Sequence, residues 1–135
     1  MRSFVDTNVL VYADDGGDRT KQSVATGLIE AHLRVGSRVI STQVLREFVN
    51  TALRKLMLPV DLIRARLAVY RRFEVVPSSP DLVTAALDIH VLHRLSYWDA
   101  LIVQAARQSG CIQLLTEDMN AGAVVAGVRL VNPFA

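Results

Sequence analysis

The stretch Ser3-Phe4-Val5-Asp6 combines a short apolar run with an acidic residue directly after it. Residues Ser3 to Val5 predict a short strand, and its lack of polar alternation is typical of a strand buried on both faces. Four more short runs rich in Val, Ile, Leu or Phe predict further strands: Arg38 to Ile40, Phe73 to Val76, Ile112 to Leu115 and Val128 to Val131. The pattern therefore indicates a sheet of five strands.

Helical patterns fill the intervals between these strands. Apolar residues recur at helical spacing, and the capping residues stand where helices begin and end, such as Ser79-Pro80-Asp81 at a start and Gly36 after an end. The predicted helices run from about Lys21 to Val35, Gln43 to Leu56, Val60 to Arg72, Ser79 onward, and Ser96 to Gln108. Strands that alternate with helices predict an α/β fold, a parallel sheet with helices on both faces.

Length and composition indicate one domain, residues 1–135. A chain of 135 residues that is 51% hydrophobic can bury one core. The single cysteine, Cys111, excludes a disulfide-stapled extracellular scaffold, so a reducing cytoplasm is the expected compartment. No stretch approaches the ~18 apolar residues of a membrane span. The net charge of +2 is too small to indicate nucleic-acid binding by itself.

Two acids follow predicted strands directly. Asp6 comes after the first strand, and Asp118 comes shortly after the fourth. In open α/β sheets the functional crevice lies beyond the carboxyl ends of the strands, so both side chains are expected there. The alternative for each is a carboxylate that only caps the following turn. Glu117 adjoins Asp118, and spacing alone does not separate these two candidates.

Two further acids lie on predicted helices. Asp99 falls on the apolar side of the last helix, where a solvated carboxylate would be unfavourable, although Ser96 and Asp99 also resemble a capping box. Glu47 lies across its helix from the apolar stripe and beside Gln43, so an ordinary solvated residue is its alternative reading. Glu47 is a candidate for the site only because three other acids are candidates for the same crevice.

Carboxylates that converge on one crevice repel one another unless a cation neutralises them. Ligation by oxygen alone selects hard ions, Mg²⁺ or Mn²⁺, over Zn²⁺. Such a site suits phosphodiester hydrolysis, in which bound ions activate water and stabilise the leaving oxygen. Thr7, Asn8 and Thr116 are candidates for orienting the carboxylates, with plain turn formation as the alternative.

Other polar and aromatic residues are candidates for contacts beside this site. Trp98 could stack on a nucleic-acid base, but its place in the apolar stripe of the last helix favours a core position. Arg46 and Arg54 are candidates for a basic rim near Glu47. Two competing functions, a non-catalytic regulatory or binding module and a phosphatase with an aspartyl nucleophile, are disfavoured because Asn8 stands where the phosphatase needs a second acid and no lysine follows Lys55.

Together these residues resemble a known family. Phe4-Val5-Asp6-Thr7-Asn8, Glu47 in a helix, Tyr97-Trp98-Asp99-Ala100 and Leu115-Thr116-Glu117-Asp118 resemble the PIN-domain nucleases, and within them the small VapC-type toxins of prokaryotic toxin–antitoxin pairs. The likeness extends from about Phe4 to Asn132.

The resemblance implies a three-layer α/β/α sandwich with a five-stranded parallel sheet and a magnesium-dependent endoribonuclease. It maps an acidic quartet of catalytic and metal-binding residues onto Asp6, Glu47, Asp99 and Asp118. Members of this kind usually form homodimers and are inhibited by a cognate antitoxin protein that blocks the acidic site. RNA is then the expected substrate.

Overall fold

The computed structural model describes all residues 1–135 and contains six strands and six helices. The strands are β1 Ser3–Val5, β2 Arg38–Ser41, β3 Glu74–Val76, β4 Gln113–Leu115, β5 Val124–Val125 and β6 Val128–Val131. The helices are α1 Thr7–Tyr12, α2 Arg19–Val35, α3 Thr42–Arg54, α4 Val60–Tyr70, α5 Pro80–His93 and α6 Tyr97–Gln108. The predicted α/β class is confirmed.

All strands belong to one sheet with the order β3-β2-β1-β4-β6-β5. The five predicted strands are parallel to one another, with β1 at the centre between β2 and β4. Phe4 pairs with Val39 on one side and with Leu114 on the other. Because parallel strands share one direction, the residues after β1, β2 and β4 emerge at the same edge of the sheet.

The strand count differs from the prediction, because the sheet has a sixth strand. The two-residue strand β5 pairs antiparallel with β6, so the sheet is not wholly parallel. The hairpin turns through Ala126 and Gly127, whose φ angles are both positive at 50° and 82°. Two residues are too few to show a strand pattern, and Ala-Gly lacks the usual hairpin-turn signal of Asn-Gly or Asp-Gly.

Helix α1 was not predicted. It has six residues, and Asp6 caps its start by accepting a hydrogen bond from the Thr7 N–H at 2.7 Å. An isolated helix of this length is unstable in water, so packing stabilises it rather than local propensity. Val9 and Leu10 are fully buried, and α1 packs on α2 and α3. The other five helices start within two residues of the prediction, and the four ends that were predicted also lie within two residues of those observed.

The hydrophobic core is centred on the inner strands of the sheet. Phe4, Ile40, Leu114 and Leu130 are at most 1% exposed, as expected for parallel strands that helices cover. Helix α6 packs on β2, β4 and β6 and pairs with α5, whereas α3 packs on β2, α1 and α4. These contacts hold the ends of α3 and α6 near the carboxyl edge of the sheet. None of the six helices has the length and apolar character needed to cross a membrane.

Candidate active site

Asp6 lies at the centre of the carboxyl edge, directly after β1. The residue is only 6% exposed, and two donors hold its carboxylate. The Thr7 N–H donates to Oδ1 at 2.7 Å, and the Thr116 hydroxyl donates to Oδ2 at 2.8 Å. Asp6 therefore does cap the start of α1, and the same bonds fix the orientation of a buried carboxylate at the carboxyl edge of the sheet.

The surroundings of Asp6 disfavour its charge. The pKa of Asp6 is raised from 3.8 to about 7, mainly by burial, and the negative charges of Glu47 and Asp118 contribute to this rise. The hydrogen bonds from Thr116 and Thr7 act in the opposite direction but do not compensate. No basic side chain forms an ion pair with this carboxylate. A bound cation would offset the repulsion between Asp6 and its acidic neighbours and would stabilise the ionised carboxylate.

Asp118 is exposed and is tied to Asp6 through Asn8. The Asn8 Nδ2 donates to Asp118 Oδ2 at 3.0 Å and lies 3.5 Å from Asp6 Oδ2. The Thr116 hydroxyl accepts from the Asp118 N–H at 3.2 Å while it donates to Asp6. Asn8 and Thr116 therefore set the relative positions of two carboxylates, which is more than turn formation requires.

Glu117 points to a different group of residues. It forms an ion pair with Lys21 and accepts a hydrogen bond from the Tyr12 hydroxyl at 2.6 Å. The bond from Lys21 lowers the pKa of Glu117, so its charge is already compensated. This separates the two candidates that the sequence left open. Asp118 remains without a cation and joins Asp6, whereas Glu117 anchors the loop after β4 to α1 and α2.

Asp99 lies in the first turn of α6 and is half-buried. Ser96 caps this helix as predicted, by accepting a hydrogen bond from the Asp99 N–H at 3.1 Å. The Asp99 carboxylate is thus not needed as a cap. Burial raises the pKa of Asp99, and the charge of Asp118 raises it in addition. Asp99 and Asp118 therefore interact electrostatically across the crevice.

Glu47 lies at the rim of the crevice on the exposed face of α3. The Thr7 hydroxyl approaches its Oε2 at 3.4 Å, and Gln43 Nε2 donates to its Oε1 at 2.7 Å. Thr7 follows Asp6 directly, so this contact connects α3 to the buried acid. Glu47 and Asp118 thus line the same cavity. Electrostatic interactions link Asp6 to both of them and Asp99 to Asp118.

The four acids offer an all-oxygen donor set without His or Cys, which suits Mg²⁺ or Mn²⁺. In the side-chain positions of the structure, however, no three acids lie close enough to hold one ion jointly. Mg²⁺ usually keeps several waters and takes only one or two carboxylates directly. The donor set and the uncompensated charge therefore fit a hydrated hard cation better than a closed protein cage.

Two cavities meet at Glu47. The first has a volume of about 390 Å³ and is mostly polar, with Asn8, Tyr12, Glu47, Lys55 and Asp118 among its lining residues. Lys55 was not predicted here, and Arg54, which was, lines neither cavity. The two residues are adjacent in α3 and its C-cap, so about 100° of helical rotation separates them.

The second cavity has a volume of about 560 Å³ and is lined by Gln43, Arg46, Glu47 and Trp98. The core position predicted for Trp98 is wrong, because this side chain is 68% exposed. Its spacing from Leu101 and Ile102 places it on the apolar stripe of α6. Full burial begins only at Ala100, so the first turn extends past the elements that cover the rest of the stripe.

Comparison with known proteins identifies the fold. The PIN domain family model matches residues 3–125. Solved structures with the same fold include a toxin–antitoxin complex from Klebsiella pneumoniae, 23% identical, covering 97% of each chain with a TM-score of 0.69. Another is VapC20 of Mycobacterium tuberculosis, described as a sarcin-ricin loop cleaving toxin, 22% identical, covering 94% of this chain and 98% of that one with a TM-score of 0.67.

A third similar structure is VapBC2 from Rickettsia felis bound to a DNA fragment from its promoter. It is 18% identical, covers 96% of this chain and 97% of the other, and has a TM-score of 0.68. At these identities the likeness establishes the fold alone. No curated protein matches the sequence.

Proposed function

The chain belongs to the PIN domain family, and from this premise we propose that it is a metal-dependent endoribonuclease, the toxin of a type II toxin–antitoxin pair acting in the cytoplasm. The observation that carries the proposal is the buried Asp6 carboxylate, which lies beside two other acids at the carboxyl edge of a parallel sheet and has no basic partner. An arrangement of this kind lowers stability and is typical of a functional site.

Asp6, Asp99 and Asp118 would hold Mg²⁺, or Mn²⁺ in its place, with Glu47 completing the set. When bound, the ion supplies the charge that activates water and stabilises the oxygen leaving the phosphodiester. Thr7 and Thr116 fix the orientation of Asp6, and Asn8 holds Asp118 at a set position. Glu47, which accepts a hydrogen bond from Gln43, would complete the set of ligands or position the attacking water.

The substrate and partners are part of the same proposal. RNA is the proposed substrate, which agrees with the description of the M. tuberculosis relative as a toxin that cleaves the sarcin-ricin loop. An antitoxin is the proposed inhibitor, since structures with the same fold are titled as toxin–antitoxin complexes. A homodimer is the proposed assembly, in keeping with the family resemblance.

The test is cleavage of single-stranded RNA by the purified protein with Mg²⁺ or Mn²⁺, compared with the same reaction in a chelator. Asp99→Asn removes one carboxylate and should lower the rate at least ~100-fold, a loss typical of removing one electrostatic catalytic group. The matched control is Asp88→Asn, which neutralises an exposed acid on α5 away from the crevice and should cleave at the wild-type rate.

Three outcomes would contradict the proposal. Equal cleavage by Asp99→Asn and wild type would show that the site is misassigned. Cleavage that persists in the chelator would exclude a metal-dependent reaction. Formation of a phosphorylated Asp6 with a small phosphodonor, without RNA cleavage, would support an aspartyl-phosphate module instead.

A further inference from the structure

Trp98 presents an unusual surface beside the acidic crevice. It is the only tryptophan of the chain and is 68% exposed, immediately before Asp99 in α6. An indole in this position leaves a large apolar face in water, although the ring can pack well against a flat partner. Neither the fold nor the proposed chemistry at the acids uses this side chain.

The surroundings hold Trp98 in place while leaving it open. The neighbouring Tyr97 ring meets it edge-on, with 6.1 Å between the ring centroids. Tyr97 is itself fixed, because its hydroxyl donates to the Val83 carbonyl at 2.7 Å. The Trp98 carbonyl accepts from Gln43 Nε2 at 3.3 Å. The backbone and one edge of the aromatic pair are thus anchored, which lowers the entropic cost of binding a ligand there.

Trp98 borders the larger of the two cavities that meet at Glu47. The volume of about 560 Å³ falls within the ~300–1,000 Å³ typical of small-ligand sites. Arg46 lies on the same wall and forms no ion pair, so its guanidinium is available to an anionic group. Gln43 links Trp98 to Glu47 through two hydrogen bonds. An aromatic face, a free cation and the acidic rim therefore adjoin one space.

We propose that Trp98 is a stacking platform for an unpaired nucleobase next to the scissile phosphate, with Arg46 contacting the backbone of the same strand. The inference rests on the proposed function and specifies its substrate, which is single-stranded or looped RNA. Bases within a duplex are stacked on one another and cannot lie on a protein ring, whereas unpaired bases stack readily on aromatic side chains.

A single tryptophan makes direct observation of this contact possible. An RNA of about eight nucleotides, a length within the usual range of single-strand sites, is titrated into the wild-type protein in a chelator, which prevents cleavage. We expect quenching of the Trp98 fluorescence that saturates with RNA concentration. The same oligonucleotide with abasic residues keeps the phosphates but has no bases, and it should not quench.

Variants then measure the contribution of stacking. Trp98→Ala should weaken binding of a dye-labelled RNA, followed by anisotropy, by about tenfold or more, as alanine replacement at stacking sites does. Trp98→Phe keeps an aromatic face and should retain most of the affinity. The matched control is Leu92→Ala, which removes a comparably exposed apolar side chain, 76% exposed on α5, and should leave affinity unchanged.

The metal-supported reaction provides a second readout. If the ring binds the base equally in the ground and transition states, Trp98→Ala should raise KM and leave kcat unchanged. Circular dichroism melts of each variant check that the first turn of α6 stays folded. Sedimentation of each variant reports its assembly state. A change of mass for Trp98→Ala with unchanged RNA affinity would show that the ring is a contact with a second protein copy and would overturn the proposal.

Failure of this inference is distinguishable from failure of the nuclease proposal. RNA cleavage by wild type that Trp98→Ala leaves unaltered, without base-dependent quenching, would refute the platform and retain the nuclease. Base-dependent quenching without cleavage would support the platform and refute the nuclease. Equal quenching by the normal and abasic strands would also refute stacking, because it would show a response to phosphate alone.

Discussion

Replacing Asp6 by asparagine should abolish cleavage and at the same time make the protein more stable at neutral and alkaline pH. The cause is the buried carboxylate, whose pKa is raised by burial from 3.8 to about 7. Each pKa unit corresponds to ~1.36 kcal/mol, so ionised Asp6 lowers the free energy of unfolding by about 4 kcal/mol. Asparagine has no charge to bury but loses the hydrogen bond from Thr116, which costs about 1–2 kcal/mol.

The expected gain in the free energy of unfolding of Asp6→Asn over wild type increases with pH. Below about pH 4 the carboxyl is protonated in both the folded and unfolded chains, so the raised pKa has no effect on stability. From about pH 4 to 7 only the unfolded chain has released its proton, and wild-type stability falls by about 1.4 kcal/mol per pH unit relative to the variant. Above about pH 7 the difference is constant, with Asp6→Asn about 2–3 kcal/mol more stable.

The assay is urea unfolding in a chelator at several pH values, followed by circular dichroism because the exposed Trp98 is a poor reporter of folding. The quantity of interest is the difference in the free energy of unfolding between Asp6→Asn and wild type, in which groups common to both cancel. Asp88→Asn, an exposed acid on α5, is the control and should change stability by less than about 0.5 kcal/mol at every pH.

Added Mg²⁺ completes this test, because a ligand that binds only the folded state stabilises it. At ~100 times its dissociation constant the ion should add about 2.7 kcal/mol to wild type and little to Asp6→Asn. A difference between the two proteins that does not vary with pH would refute the reasoning about burial. An equal response of both to Mg²⁺ would refute the assignment of Asp6 as a ligand.

Three further predictions concern the scaffold, each measured by urea or thermal unfolding. Arg66→Ala should cost about 2 kcal/mol, because it leaves the Asp14 carboxylate, whose side chain is only 7% exposed, without its bidentate partner. Arg94→Gly should stabilise by about 0.5–1 kcal/mol, because Arg94 ends α5 with a positive φ of 56° that favours glycine. The stability of wild type relative to His32→Gln should fall as pH decreases below ~6.5, because burial lowers the pKa of His32, whose neutral Nδ1 accepts the Arg38 N–H at 2.8 Å.

Each of these predictions has its own control. Arg64→Ala, at an exposed position on α4, should be nearly neutral, and an equal cost there would show that the Asp14 pair is unimportant. Arg94→Ala keeps the unfavourable φ and should not stabilise, so equal gains from Gly and Ala would contradict the conformational argument. A difference in the free energy of unfolding between wild type and His32→Gln that stays constant below pH ~6.5 would show that His32 is not the titrating group.

The regular elements could be predicted because their signals are local. Continuous apolar runs identified the five parallel strands, and caps such as Ser79 and Ser96 identified helix starts. Helix α1 and strand β5 were not predicted, because a helix of six residues and a strand of two are too short to show periodicity. Both are stabilised by long-range packing and pairing rather than by their own sequence.

The candidate site could also be predicted only in part, because some of its features depend on long-range contacts. Placement of Asp6 and Asp118 at one edge followed from parallel topology, and the type of residue alone indicated a hard cation. The separate environments of Glu117 and Asp118 depend on Lys21, about a hundred positions away in the sequence. No local pattern contains that contact.

The exposure of Trp98 could not be predicted from the sequence for the same reason. Helical periodicity correctly identified its face of α6, and it predicted burial because that face is apolar. Burial requires another element to cover the face, and the first turn of α6 is left open beside Gln43 and Glu47. Periodicity describes one helix at a time, whereas exposure and charge compensation depend on which distant segments the fold brings alongside it.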